Sequence, residues 1–201
     1  MKRLFDILIS LLGLIILSPV LLVFMYLVYH QDRHSPFYVA PRVGKDGLMF
    51  KMLKLRSMSI NADKSGVDST SVDDVRITPV GHKIRRYKLD EFTQLWNVLI
   101  GDMSLVGPRP NVVSDTDLYT DIEKGLLVVR PGITDFSSIV FSDEGEILEG
   151  REDPDLSYNQ LIRPWKSRLG LIYIKNQSLL LKKLANIARK RAFYSFLLHM
   201  I

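Results

Sequence analysis

From Ile7 to Tyr29 the chain carries no charged residue, and Ser18 and Pro19 stand in the middle of that run. As an α-helix these 23 residues rise about 34 Å, enough for a hydrocarbon core about 30 Å thick. Proline has no N–H to donate and its ring crowds the carbonyl four residues back, so a kink is expected at Pro19, with the Ser18 hydroxyl able to bond a carbonyl freed there. The segment then either spans a bilayer or turns back and leaves by the face it entered. Lys2, Arg3 and Asp6 precede the run and His30, Asp32, Arg33 and His34 follow it, which suits both ends on the positive, cytoplasmic side. A cleaved signal peptide fits badly: the run exceeds the usual ~7–15 residues and no small-x-small site precedes His30.

The remainder is the size of one domain with a real core, which gives three regions: a membrane helix with its flanks over 1–34, a catalytic domain over 35–176, and a basic amphipathic helix over 177–201. The chain has no cysteine, which excludes disulfides, thiolate catalysis and Cys-ligated zinc; its 4 histidines show no metal-ligand spacing. The net charge of +5 is uneven, because no acid follows Asp155 while 9 Lys or Arg residues do. In that tail Leu179, Leu180, Leu181 and Leu184 surround Lys182 and Lys183, and Ile187, Phe193 and Phe196 surround Arg189, Lys190 and Arg191. This interleaving reads as an interfacial amphipathic helix meeting anionic lipid, the alternative being a solvated face on a packed helix. No nucleic-acid recognition motif accompanies the charge.

Between these ends, 36–58 alternates apolar and polar residues around a turn at Lys45-Asp46-Gly47, and 59–74 is a polar loop. A helix is expected from Val80. A stronger one begins at Asp90, where Phe92, Leu95, Trp96 and Leu99 recur at helical spacing until Gly101. Another helix is expected over 112–127, a loop over 135–155, and a last helical region from Tyr158, interrupted by Pro164. The fold class is α/β, mostly helical.

Asp90-Glu91 follows a cationic group of Lys83, Arg85, Arg86 and Lys88. An aspartate beside positive charge keeps a low pKa and can serve as nucleophile or metal ligand, guanidiniums suit phosphate oxygens, and Mg²⁺ favours carboxylate together with phosphate. The same pair also fits a plain helix start, with Asp as N-cap and Glu complementing the dipole. Arg109 lies between Pro108 and Pro110, whose rings restrict the loop and suit a fixed anion-binding arginine. Arg130, in Arg130-Pro131-Gly132-Ile133-Thr134, follows the same logic with a hydroxyl at Thr134. Either segment alone also fits a rigid turn with an exposed arginine.

Taken in order, Lys2-Arg3 with Asp6, Ser18-Pro19, Arg42-Val43-Gly44, 54–58 (KLRSM), Leu89-Asp90-Glu91, 94–99 (QLWNVL), 101–110 (GDMSLVGPRP) and 130–134 (RPGIT) make a far more specific pattern. The chain resembles the bacterial sugar transferase family of monotopic phosphoglycosyl transferases over nearly its whole length. The resemblance implies a re-entrant membrane helix and a small catalytic domain on the cytoplasmic face of the bacterial inner membrane. It also implies transfer of a phosphosugar from a UDP-sugar to undecaprenyl phosphate with release of UMP. By it, Asp90 is the nucleophile, Mg²⁺ holds the diphosphate against Asp90 and Glu91, Glu91 assists through metal or proton handling, and Arg85 and Arg109 contact phosphate or nucleotide. Arg86 is the rival to Arg85, since simple helical spacing from Asp90 favours it.

Two departures stand out. Members of the family often continue after the Arg-Pro-Gly-Ile-Thr motif with Gly and an Asn-Gly-Arg-Asn run, whereas this chain has Asp135-Phe136-Ser137-Ser138 and Phe141-Ser142-Asp143-Glu144. A phosphate-binding arginine expected near Ser142 is therefore missing, and Arg151 and Arg163 are the candidates to replace it. Leu55 stands where Phe is common, a packing swap. The rival reading from another class is a membrane-anchored assembly or regulatory protein of the same fold without turnover. The sequence leaves the sugar, the glycan and homodimerisation open.

Overall fold

The computed structural model describes residues 2–62, 74–142, 147–151 and 153–176. Lys182, Lys183, Arg189 and the rest of the basic tail, most of the polar loop after Ser59, and Asp143-Glu144 lie outside the described residues.

The apolar run forms α1 (Lys2–Asp32), with Pro19 inside it. The carbonyl four residues before Pro19 belongs to Ile15, and Ser18 Oγ donates to it at 2.8 Å, the replacement bond expected from the Ser-Pro pair. One narrow stripe of α1 is buried: Asp6, Ser10, Leu21 and Val28. Both ends of the helix dock on the same domain. At the start, Asp6 accepts from Ser104 Oγ at 2.8 Å while Arg3 donates to the Leu99 carbonyl at 2.9 Å. At the finish, Arg56 pairs with Asp32, its Nη2 2.7 Å from Oδ1. The opposite face is bare, with Leu4, Leu8, Leu12, Ile15, Ile16, Leu22, Val23 and Tyr26 all exposed. A long helix with so much apolar surface in the open suits a lipid environment.

Alternation produces the hairpin of β1 (Phe37–Val43) and β2 (Met49–Leu55), paired antiparallel with Phe37 opposite Leu55 and Val43 opposite Met49. Its turn lies at Lys45–Gly47, where Asp46 and Gly47 take φ of 56° and 78°. Thr78 caps α2 (Pro79–Arg86) by accepting from Gly81 N at 3.0 Å, and Pro79 occupies its first turn. Gly81 permits α2 to approach the chain just beyond β2: a Cβ there would lie 1.8 Å from the Ser57 carbonyl oxygen.

The single helix expected from Asp90 to Gly101 is instead two short ones, α3 (Leu89–Phe92) and α4 (Leu95–Ile100). The joint is Thr93, whose Oγ1 bonds both the Asp90 carbonyl at 3.0 Å and the Leu53 carbonyl at 3.1 Å, tying the helix to β2. Asn97 reaches the same strand edge, accepting from Leu53 N at 2.9 Å and donating to the Lys51 carbonyl at 2.8 Å. Side chains thus complete the edge of β2 that β1 does not use. Gly101, at φ 103°, ends α4.

The strands β3 (Ser104–Val106) and β4 (Gly132–Thr134) pair in parallel. They bring the two Pro-Gly motifs into backbone contact, since a Cβ on Gly132 would lie 2.1 Å from Gly107 N. The helix expected over 112–127 is divided into α5 (Val113–Asp117) and a 3₁₀ stretch, Glu123–Val128. A capping box explains the break: Thr120 N donates to Glu123 Oε2 at 3.0 Å and Glu123 N to Thr120 Oγ1 at 3.3 Å, which starts a new helical turn. The loop expected over 135–155 contains α6 (Phe136–Val140), capped by Asp135 accepting from Ser138 N at 2.7 Å. A turn at Pro154–Ser157 and a wider one at Tyr158–Ile162 lead into α7 (Arg163–Lys175). Pro164 sits in the first turn of α7, directly after the widened turn at Tyr158–Ile162, so the last helical region is irregular just before this proline, as expected.

Among the described residues, two clusters of buried side chains stand out. Val28, Leu55, Ile84 and Leu89 join α1 to β2, α2 and α3, while Ala40, Met52, Val98 and Met103 lie under the hairpin.

Candidate active site

Asp90 does not cap its helix. The N-cap of α3 is Lys88, held at φ 55° and ψ 28°, and no side chain caps this end. Asp90 Oδ1 is instead buried without a hydrogen-bond partner. A buried, orphaned carboxylate oxygen is destabilising by itself, so stability gives no reason to keep this one.

The surroundings supply charge. Burial is the largest influence on the Asp90 carboxyl and pushes its pKa above the ordinary value; Lys54 pulls it down, Glu91 pushes it up, and Arg85 pulls it down. The low pKa expected from neighbouring cations is therefore corrected: loss of water outweighs them. Lys54, on β2, was absent from the sequence-derived candidates although it lies inside the 54–58 motif. Its ammonium is lowered to about 8, first by burial and then by Arg109, with Asp90 and Glu91 opposing and Arg42 lowering it further.

Arg85 Nε donates to Ser57 Oγ at 3.1 Å, and burial lowers its pKa while the charges of Asp90 and Asp74 oppose the shift. Its neighbour Arg86 is exposed, with its guanidinium 5.9 Å from the Tyr87 ring centroid. Arg85 is thus the member of the pair set toward Asp90, because α2 ends before Asp90 and the helical spacing that favours Arg86 does not carry across Lys88. Glu91 Oε1 accepts from both terminal nitrogens of Arg109 at 3.1 Å. Pro108 and Pro110 are buried on either side of the exposed Arg109, and this fixes the loop that presents it.

Arg130 is engaged elsewhere, and Thr134 is exposed with its backbone carbonyl held in the sheet. Arg130 Nε donates to the Gly101 carbonyl at 2.7 Å, and the Thr134 carbonyl accepts from Gly107 N at 3.1 Å. Of the two candidates to replace the missing arginine, Arg151 is exposed, whereas Arg163 lines a cavity together with Arg109.

Among the described residues no three His, Cys, Asp or Glu side chains converge. Asp90 and Glu91 alone, one with an unused buried oxygen, fit a hard divalent cation that takes its other ligands from water and phosphate. The whole arrangement, two carboxylates among Lys54, Arg85 and Arg109, can bind a polyanion and offer it a carboxylate nucleophile.

Comparison with known proteins follows the same line. The pattern of one family, described as bacterial sugar transferase, matches residues 1–187. A UDP-glucose:undecaprenyl-phosphate glucose-1-phosphate transferase of Klebsiella pneumoniae is 38% identical over 177 residues, covering 85% of this chain and 37% of that protein. The exopolysaccharide production protein ExoY of Sinorhizobium fredii is 42% identical over 148 residues, 66% of each chain. An undecaprenyl-phosphate galactose phosphotransferase of Salmonella typhimurium is 34% identical over 194 residues, covering 89% of this chain and 37% of that protein. The chain spans little more than a third of the Klebsiella and Salmonella proteins.

Proposed function

Because the chain belongs to the bacterial sugar transferase family, we propose that it moves a phosphosugar from a UDP-sugar to undecaprenyl phosphate in two steps through Asp90. In the first step an Asp90 oxygen attacks the sugar-bearing phosphorus, the phosphorus–oxygen bond to the nucleotide breaks, and UMP departs with the electron pair. In the second, a phosphate oxygen of undecaprenyl phosphate attacks the same phosphorus and the acyl-phosphate bond breaks, which restores the Asp90 carboxylate. Covalent catalysis of this kind divides one transfer between poorly reactive phosphates into two.

The observation that carries this reading is the buried Oδ1 of Asp90, unpaired among cations. Arg85 and Lys54 balance the charge that gathers at phosphorus, and Arg109 orients Glu91 through both of its terminal nitrogens. Asp90 and Glu91 are the residues that would hold Mg²⁺, which would supply neutralisation of the diphosphate charge. The names of the Klebsiella and Salmonella relatives support UDP-sugar and undecaprenyl phosphate as substrates.

Residence on a single membrane face belongs to the same reading. Residues at both ends of α1 bond to one domain, so a helix that crossed the bilayer would have to carry one of those contacts through lipid. The cytoplasmic face is the one that holds UDP-sugars, and the charged flanks of α1 agree with it.

The test uses the full chain in detergent with a UDP-sugar and Mg²⁺ but no lipid acceptor. UMP should appear up to about one per site and then stop, with a phosphosugar attached to the peptide containing Asp90 by intact-mass and peptide analysis. Asp90→Asn should abolish both. UMP release that requires undecaprenyl phosphate, with no adduct after rapid quenching, would instead establish direct transfer. No turnover with any UDP-sugar would favour the silent assembly protein.

A further inference from the structure

Arg109 belongs to two neighbourhoods. Besides bonding Glu91 it lines a cavity with Asn111, Tyr119, Tyr158, Arg163 and Lys166. Arg163 and Lys166 lie three residues apart at the start of α7, a spacing that places them side by side on the helix. Arg163 Nε is buried with no hydrogen-bond partner, although the terminal Nη2 of the same guanidinium reaches the Asp115 carbonyl at 3.4 Å. A buried guanidinium N–H without an acceptor is costly, and an anion in the cavity would satisfy it.

The other walls define the anion further. Tyr119 is fixed by its hydroxyl, which accepts from Asn111 Nδ2 at 2.8 Å, and Tyr158 lies with its ring centroid 4.9 Å from Lys166 Nζ. Asp135 also faces the cavity, but Ser137 and Ser138 already donate to its carboxylate at 2.7–2.8 Å. Two cations beside two aromatic rings suit a phosphate that carries a flat base: arginine matches phosphate oxygens, and rings accept a base by stacking.

We infer that this cavity holds the nucleoside monophosphate half of the donor, with Arg163 and Lys166 on the phosphate that departs as UMP and Tyr119 and Tyr158 flanking the nucleoside. The inference rests on the UDP-sugar reading. Arg109 then stands at the boundary between the two halves, next to the bond that breaks, and Arg163 is a binding residue contributed by a helix remote in sequence from Asp90.

UMP binding to the full chain in detergent tests this, read directly and as product inhibition of transfer. Arg163→Gln and Lys166→Gln should each weaken UMP binding about tenfold and raise the donor KM similarly, with kcat within about threefold of the parent. Arg163→Lys should recover part of the loss. Binding of uridine, which lacks the phosphate, should change little in any variant, whereas a general collapse of the cavity would weaken uridine and UMP alike and overturn the assignment. Parent protein that binds UMP, together with folded Gln variants that bind it equally well, would overturn this inference and leave the reaction untouched. Parent protein that neither binds nor releases UMP would overturn both.

Discussion

Asn97 offers a direct measure of how α4, and with it the segment carrying Asp90, is held beside β2. It is 1% exposed, accepts from Leu53 N, and donates to the carbonyl of Lys51 and to Asp102 Oδ2 at 3.2 Å. In Asn97→Ala the Leu53 N–H, partly buried, loses its acceptor at a cost of about 1–3 kcal/mol, and the Lys51 carbonyl, better placed to find water, loses about 1 kcal/mol. The sum is about 3 kcal/mol, which for a chain of this size lowers the melting temperature by about 6–12 °C. Asn97→Asp retains an acceptor for Leu53 but turns a carboxylate toward the Lys51 carbonyl and Asp102, so it should be at least as damaging. Adding Asp102→Asn restores a donor and should regain part of that loss, a coupling that a double-mutant cycle isolates. Thermal unfolding of the full chain in detergent, followed by intrinsic fluorescence, gives the measurement. If Asn97→Ala melts within about 1 °C of the parent, the strand edge is not held by this side chain and the reasoning is wrong.

Asp90→Asn should raise stability at neutral pH while ending turnover. The folded state raises the carboxyl pKa, so stability is present below the ordinary value and lost as pH rises from there through the raised one; removing the charge should regain it, seen as a higher melting temperature at neutral pH. In the pH profile of kcat/KM, the acid limb should lie above the ordinary aspartate range, because the proposed mechanism requires Asp90 ionised. The alkaline limb should fall near the value of about 8 set for Lys54, and Lys54→Arg should move it upward. Gly81→Ala should destabilise more than an exposed helix substitution of the same kind, since its Cβ would meet the Ser57 carbonyl oxygen at 1.8 Å; a melting temperature at or above the parent's would refute the close packing of α2 on the chain at Ser57.

Local chemistry made some of this protein legible from its residues. Alternation fixed the hairpin, and the Ser18-Pro19 pair announced the hydroxyl that bonds the Ile15 carbonyl. What could not be read depends on contacts between segments distant in sequence. The break at Thr93 arises from a bond to Leu53, forty positions earlier, and no periodicity within 90–101 reports it. Lys54 reaches the site only because β2 is bound to α3 and α4. Shorter-range signals are also present: the Thr120–Glu123 capping box and the Asp135 cap both mark helix starts within four residues.

The double docking of α1 also makes the domain a ruler for its own membrane segment. Asp6 and Asp32 are 26 residues apart and each meets a fixed partner, Ser104 at one end and Arg56 at the other. One inserted residue would advance the far end by about 1.5 Å and turn it by about 100°, swinging Asp32 off Arg56 and Val28 out of the core. Bilayer thickness tolerates such slippage through tilt, whereas two anchored ends do not. The apolar stretch is therefore free to vary in the identity of its outward residues and constrained in their number, with length changes admissible only near whole multiples of the helical repeat and only if the docking points on the domain move with them.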